Sequence, residues 1–110
     1  GYTKCSVAVI SENAIITSDS KIASKADLNG IDVLKIQEGS IRLPGFPYGF
    51  IGGCCGLISR EILLVNGNLS QHPDFLEMRN FCRKYHVSFQ FLHDGIPVDI
   101  GSIIPVYESI

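Results

Sequence analysis

Apolar residues along the chain fall into short runs that polar and glycine-containing turns separate. Residues 7–10 and 14–17 form two such runs around a polar turn, a pattern that predicts a β-hairpin. The apolar residues of 22–28 predict a short helix that ends before Gly30, a residue suited to a left-handed helix cap. Residues 31–36 then predict a third strand.

The same order of elements returns in the second half of the chain. Residues 55–58 and 62–65 predict two strands joined by a polar turn, and residues 87–92 predict a third strand. We expect a longer helix between them, because Pro73 suits a first helical position and Asp74 suits the positive end of the helix dipole. One apolar face of that helix contains Phe75, Met78, Cys82 and Tyr85.

A loop rich in glycine and proline joins the two halves. It spans residues 39–50 and interleaves Phe46, Tyr48 and Phe50 with its turn residues. Aromatic platforms that bind single-stranded nucleic acid lie in positively charged grooves, and basic residues do not flank these rings closely. We therefore expect the three rings to be buried anchors.

These patterns predict an α/β domain of repeated strand–strand–helix–strand units. The units cover about residues 5–36 and 53–92, and a partial third unit begins near residue 100 of a single 1–110 domain. Repeat units need neighbours to bury their faces. The incomplete array, with Gly1 where an initiator Met would stand, leads us to expect the C-terminal part of a longer protein. We expect either a missing N-terminal half or self-association through sheet edges.

Composition and charge exclude several classes of protein. With 45% hydrophobic and 18% charged residues, the chain does not have the composition of a disordered tail. The net charge is −2 and the nine basic residues are scattered, which argues against the basic stripe of a nucleic-acid-binding protein. No apolar run approaches the ~18 residues of a membrane-spanning helix. We therefore expect neither a nucleic acid nor a membrane as a partner.

Four cysteines occur without a C-x-x-C pair, and they are too sparse for a secreted disulfide scaffold. We therefore expect reduced thiols and a cytoplasmic location. The cysteines and the three histidines lack the regular spacing of zinc ligands. The glycines match no phosphate-binding loop. The sequence predicts no metal and no cofactor.

Five segments carry a resemblance to known proteins: Gly1-Tyr2-x-Lys4-Cys5-Ser6, Tyr48-Gly49-Phe50-Ile51-Gly52-Gly53, Gly56-Leu57-Ile58, His72-Pro73-Asp74 and Asp99-Ile100-Gly101-Ser102-Ile103-Ile104-Pro105. They resemble the C-terminal half of an uncharacterised bacterial family with a pentein-type fold. In the pentein fold, five strand–strand–helix–strand units surround a central axis. Arginine deiminases and dimethylarginine hydrolases have this fold, and a ribosome anti-association factor shares it without catalysis.

The resemblance implies candidate residues for guanidino chemistry. Pentein enzymes use a cysteine nucleophile that attacks the guanidino carbon, a histidine that moves protons, and carboxyl groups that pair with the planar cation. On this analogy Cys5 and His72 are catalytic candidates, and Asp99 and Cys54 are substrate-binding candidates. Each also has a structural interpretation: the cysteines as buried packing residues, Asp99 as a turn cap, and His72 as a helix cap.

Two functions therefore remain open at this point. One is an enzyme that acts on a guanidino or amidino small molecule through Cys5. The other is a non-enzymatic binding or assembly module of the same fold. The second is favoured by the absence of a His-x-Asp or His-x-Glu motif from every predicted strand, because many penteins carry their catalytic histidine in such a motif.

Overall fold

The computed structural model of the protein describes residues 6–100. The first part contains strand β1 (Val7–Ser11), strand β2 (Ala14–Thr17), helix α1 (Ser20–Leu28) and strand β3 (Asp32–Lys35). The second part contains helix α2 (Ile51–Cys54), strand β4 (Cys55–Leu57), strand β5 (Ile62–Val65), a 3-10 helix (Leu69–Gln71), helix α3 (Phe75–Lys84) and strand β6 (Ser88–Phe91). Cys5 and the strand predicted after residue 100 lie outside the described residues.

The strands in this part of the chain form two three-stranded sheets of the same topology. Their orders are β1-β2-β3 and β4-β5-β6. In each sheet the first two strands are antiparallel, and a helix then leads to a third strand that runs parallel to the second. The predicted α/β class and the β1–β2 hairpin are thus confirmed.

Helix α1 begins where its cap residue satisfies the first backbone donors. The carboxyl group of Asp19 accepts hydrogen bonds from the backbone N–H groups of Lys21 and Ile22, at 2.8 and 3.1 Å. Such bonds replace the partners that the first turn of a helix lacks. At the other end Gly30 has a φ of +77°, the left-handed conformation predicted for it.

Helix α3 begins at Phe75, two residues after the predicted start at Pro73. The chain first makes a 3-10 turn over Leu69–Gln71, which Asn68 caps by accepting a hydrogen bond from the N–H of Ser70. Pro73 therefore lies in the connection between two helices. Of the predicted apolar face, Met78 and Cys82 are buried, whereas Phe75 and Tyr85 are half-buried. The helix also buries Phe81, which the predicted face did not include. Helix α2 is a second departure from the prediction. Its two glycines disfavour a helix, but all four of its residues are buried, and this burial stabilises the helix.

The loop aromatics are less buried than predicted. Phe46 is 67% exposed, and Tyr48 and Phe50 are half-buried with their rings in an edge-to-face contact at 5.8 Å. The expectation that all three rings are buried anchors is therefore wrong for Phe46. The reason is that Pro44, Gly45 and Pro47 hold this part of the loop on the surface.

The core lies between the two sheets and the faces of α2 and α3. Alternate residues of the strands point inward, as period-two side-chain placement requires. Strand β1 buries Ala8 and Ile10, and strand β5 buries Leu63 and Val65. Strands β1 and β4 lie side by side, so the two sheets meet at their first strands.

Helix α3 also connects the two sheets through a polar contact. The carboxyl group of Asp32, at the start of β3, accepts a hydrogen bond from the hydroxyl of Tyr85 and pairs with the ammonium of Lys84 at 2.6 Å. The hydrogen bonds from Lys84 and then Tyr85 lower the pKa of the Asp32 carboxyl group. The pair is exposed to solvent, so its effect on stability is small.

We expect Leu63→Ala to lower the free energy of unfolding by about 2–5 kcal/mol, because the side chain is 1% exposed and its loss leaves a cavity. Leu76→Ala removes the same atoms at a position that is 59% exposed, and it should change the free energy by less than about 0.5 kcal/mol. Urea denaturation of the two variants measures the difference. Equal losses would contradict the placement of the core.

Candidate functional site

Asp99 is buried and joins segments that are far apart in the sequence. Its Oδ2 accepts a hydrogen bond from the backbone N–H of Phe50 at 3.0 Å. Its own N–H donates to the carbonyl of Arg42 at 2.7 Å, and the next N–H, of Ile100, donates to the carbonyl of Gly53 at 2.9 Å. The side chain therefore lies at the start of α2, between the long loop and the start of β4.

Two glycines make room for this carboxyl group. A Cβ at Gly53 would lie 1.8 Å from Oδ1 of Asp99, and a Cβ at Gly49 would lie 2.5 Å from the Cβ of Asp99. Real Cβ atoms do not approach so closely, so the backbone can pack against Asp99 only where side chains are absent. Tight packing against Asp99 thus accounts for Gly49 and Gly53.

The cysteines of the described residues are buried thiols. Cys54 is 0% exposed, and both it and Cys55 donate their S–H to the carbonyl of Ile51, at 3.3 and 3.0 Å. The hydrogen bond with the Cys54 thiol, and then burial, raise the pKa of Cys55 well above its ordinary value. Burial raises the pKa of Cys82 to about 12. The raised pKa values keep Cys55 and Cys82 protonated at neutral pH. Burial shields all three thiols from solution.

His72 is 7% exposed, and its imidazole joins the start of α3 to the chain after β3. Its Nδ1 accepts a hydrogen bond from the backbone N–H of Asp74 at 2.9 Å, and Oδ2 of Asp74 accepts from the N–H of Gln37 at 2.6 Å. Burial lowers the pKa of His72, against smaller upward effects of the Asp74 carboxylate and the Gln37 backbone. The imidazole is therefore neutral at pH 7, and the occupied Nδ1 places its proton on Nε2.

The Nε2 of His72 meets no hydrogen-bond partner among residues 6–100, although it is buried. A backbone hydrogen bond with Gln37 nevertheless raises the pKa of His72, and because Nδ1 is already an acceptor, Nε2 is the atom that faces the Gln37 backbone. Nε2 therefore points into the protein, and its contact with Gln37 is longer or less linear than an ordinary hydrogen bond.

His72 lines an open cavity of about 700 Å³, which we call the loop cavity. Its wall is formed by residues 39–47 and 94–97 together with Asn68, Gln71 and His72. Backbone hydrogen bonds hold the wall in place: the N–H of Arg42 donates to the carbonyl of Pro97, and the N–H of Asn68 donates to the carbonyl of Gly95, both at 2.8 Å. The cavity is therefore shaped by fixed main chain.

The structure brings some of the predicted site residues together. Asp99 lies against Gly53, directly before Cys54, so these two substrate-binding candidates are neighbours. The Cys54 thiol, however, is fully enclosed. His72 belongs instead to the wall of the loop cavity, and Cys5 lies outside the described residues.

Arg42 is the functional candidate that the sequence analysis missed. It is the only basic residue in the loop of residues 39–50, and this isolation within an apolar, glycine-rich segment could have marked it. Its exposed side chain lines the loop cavity.

Residues 6–100 contain no group of three or more acidic, histidine or cysteine side chains that could hold a metal ion. In the same part of the chain, no helix combines the length and apolarity needed to cross a bilayer.

We expect Gly53→Ala to destabilise the fold by about 1–3 kcal/mol, because the new methyl group would overlap the Asp99 carboxyl group. Gly95→Ala adds a methyl group only 3.1 Å from the flexible side chain of His93, and should cost less. In an Asp99→Ala background, Gly53→Ala should lose most of its cost, because every atom that it would overlap is gone. Additive losses in the double variant, measured by urea denaturation, would contradict this packing.

The chain belongs to a family of unknown function (DUF6873), whose model matches residues 1–104. No curated protein and no solved structure shows significant similarity to the chain.

Proposed function

We propose that this member of a family of unknown function is a small-molecule-binding module, with its ligand site in the loop cavity. The observation that carries the proposal is the cavity itself, an open space of about 700 Å³ whose wall is held by main-chain hydrogen bonds and includes Arg42, His72 and the exposed apolar side chains of Phe46 and Ile96. Preformed concave sites that combine apolar surface with a few polar groups are typical of small-molecule binding.

The architecture that we propose for this module is a pentein-like array. The shared topology of the two sheets and the contact of β1 with β4 support it, because units around a central axis would meet at their inner strands. The described residues then supply two of its units. The remaining units come from a preceding half or from further copies of the chain.

A second candidate is an enzyme that acts on a guanidino or amidino compound. The observation that favours it is the position of Asp99, whose buried carboxyl group lies beside Gly53 at the start of β4. In this mechanism the Cys5 thiolate attacks the guanidino carbon, ammonia or an amine leaves with a proton, water then releases the product from the thiol, and Asp99 pairs with the planar cation. His72, the proton-transfer candidate, lines the loop cavity, which Asp99 does not line, so this candidate needs another group to carry the proton. This candidate depends on Cys5 alone for its nucleophile, because Cys54, Cys55 and Cys82 are all buried.

The two candidates predict different reactivity for Cys5 and the same low reactivity for the other three thiols. We expect Cys55 and Cys82 to resist iodoacetamide in the folded protein up to about pH 8.5, because their thiols are buried and their pKa values are raised. Cys54 should also resist, since it is fully enclosed. Mass spectrometry of peptides reads each site, and the protein unfolded in urea is the control in which all four should react. Rapid labelling of any of these three in the folded protein would contradict their placement.

Cys5 is the thiol that separates the candidates in that experiment. The binding module predicts that it reacts only with the ordinary pKa of about 8.5 or not at all. An apparent pKa below about 7 would instead favour the enzyme. Turnover of arginine or agmatine that is abolished by Cys5→Ser, but retained in Cys82→Ser, would establish it.

Raised thiol pKa values also make stability depend on pH. The folded state keeps Cys82 protonated up to about pH 12, whereas the unfolded chain releases this proton near its ordinary pKa of 9.0. The unfolded state therefore binds fewer protons above pH 9, and the free energy of unfolding should fall as the pH rises from about 9 towards 12. Cys82→Ala should flatten this part of the profile in urea denaturation, and an unchanged slope would contradict the burial of the thiol.

The binding proposal is tested by a fragment screen on the isotopically labelled protein. We expect at least one class of small fragments to shift the backbone amide signals of the non-proline residues that line the loop cavity, which are 39–43, 45, 46, 68, 71, 72 and 94–96. Signals of β1 and β2 should stay in place and serve as the control for a general change in fold. Shifts confined to other surfaces, or no binding by any fragment, would overturn the proposal.

A further inference from the structure

The two strand–strand–helix–strand units match residue by residue at the end of each helix. After α1 the N–H of Ile31 bonds back to the last turn of the helix at 3.0 Å, and after α3 the N–H of Val87 does the same at 2.9 Å. The residue before each of them, Gly30 and His86, has a positive φ, of +77° and +61°. Ile31 therefore corresponds to Val87, and the helix residues before them and the strand residues after them correspond in order.

Within the chain, α3 of the second unit packs along β3 of the first unit. At the C-terminal end of the helix the ammonium of Lys84 pairs with the carboxyl group of Asp32 at 2.6 Å. At its N-terminal end the carboxyl group of Asp74 accepts a hydrogen bond from the N–H of Gln37 at 2.6 Å. Ile36, which lies between these two contacts, is 2% exposed. The helix is therefore antiparallel to the strand and joins the two units along the length of β3.

Strand β6 of the second unit corresponds to β3, but the matching surface is open. Among the described residues, β6 makes its main contacts with β5 and α3 of its own unit. Leu92 corresponds to Ile36, and each donates its N–H to the second strand of its sheet, yet Leu92 is 54% exposed. Ser88, which corresponds to Asp32, is exposed as well. We call Ser88, Gln90 and Leu92 the strand surface, because they occupy the side that a following helix would cover.

The opposite end of the pair of units presents a helix that covers no second strand. Helix α1 makes its main contacts with β2 and β3 of its own unit. Leu28, which corresponds to Lys84, is 86% exposed, and Ile22 is half-buried where its counterpart Met78 is fully buried. We call Ile22, Lys25 and Leu28 the helix surface. Single exposed apolar side chains are ordinary, but these lie where the contact within the chain buries or pairs their counterparts.

From this correspondence we infer that copies of the chain associate head to tail, with the helix surface of one copy packed on the strand surface of the next. Helix α1 then lies along β6 of another copy, as α3 lies along β3 within the chain. Leu28 meets the start of that strand near Ser88, and Ile22 covers Leu92. Each copy carries both surfaces, so the chain is its own complementary partner. None of these residues lines the loop cavity, so the inference is independent of the proposed ligand site.

A contact of this kind is heterologous, because it joins two different surfaces. It leaves one surface of each kind free at the ends of a dimer, so further copies can add until a ring closes. The surfaces are small, and the ion pair of the contact within the chain is not reproduced, since an apolar and a neutral residue stand at the two positions. We therefore expect weak and reversible association.

Sedimentation velocity of the full chain tests whether copies associate. We expect the weight-average sedimentation coefficient to rise between about 10 μM and about 1 mM, the range in which small interfaces assemble. A coefficient that stays at the monomer value up to about 1 mM would overturn the inference and leave the two surfaces to another protein.

Two variants locate the contact. Leu28→Lys on the helix surface and Leu92→Lys on the strand surface each place a charge in it, and each should weaken association at least about tenfold. Leu76→Lys makes the same change on an exposed side of α3 outside both surfaces, and it should leave association unchanged. Urea denaturation compares the stability of the three variants. Association that both Leu28→Lys and Leu92→Lys leave intact would show that copies meet elsewhere, and would overturn the inference.

A mixture of the two blocked variants tests the head-to-tail arrangement. Leu28→Lys keeps an intact strand surface and Leu92→Lys keeps an intact helix surface, so one copy of each should form a dimer. Its affinity should be close to that of the unmodified chain, and the assembly should not grow further, because both remaining surfaces are blocked. A mixture that stays monomeric while the unmodified chain associates, or that grows beyond a dimer, would overturn the inference.

Discussion

The packing of the Asp99 carboxyl group against glycine backbone is the contact on which the middle of this molecule depends. The carboxyl group accepts a hydrogen bond from the N–H of Phe50, which lies 49 residues away in the sequence at the start of α2. It also packs against the backbone of Gly53. The backbone bonds that flank it tie Arg42 and Ile100 into the same junction. A buried carboxyl group needs such partners, because burial without them is costly.

The loop cavity follows from the same junction. Since the backbone of Arg42 bonds to both Pro97 and Asp99, the long loop and the segment of residues 94–97 are held opposite each other. Gly67 packs against the backbone of this segment, because a Cβ there would lie 2.4 Å from the Cα of Pro97. A rigid cavity results from contacts between main-chain segments, with surface side chains left to determine which ligand fits.

The chemistry of the molecule divides between its thiols and its imidazole. The three described thiols lie in the core, so they contribute packing. The imidazole of His72 is buried as well, and its two ring nitrogens face the backbones of Asp74 and Gln37. The preformed loop cavity, with the charge of Arg42 in its wall, is therefore what favours ligand binding among the described residues.

The sequence by itself determined the strands, the two main helices and their order, because these depend on local side-chain periodicity and on turn residues such as Gly30. It also identified Asp99 and His72 as candidates, although it placed them in one site on the strength of a resemblance. Only the tertiary structure decided that Asp99 packs against Gly53, that His72 lines a separate cavity with Arg42, and that α2 is helical despite its glycines. These features depend on close approaches between residues distant in sequence, and local periodicity carries no information about such approaches.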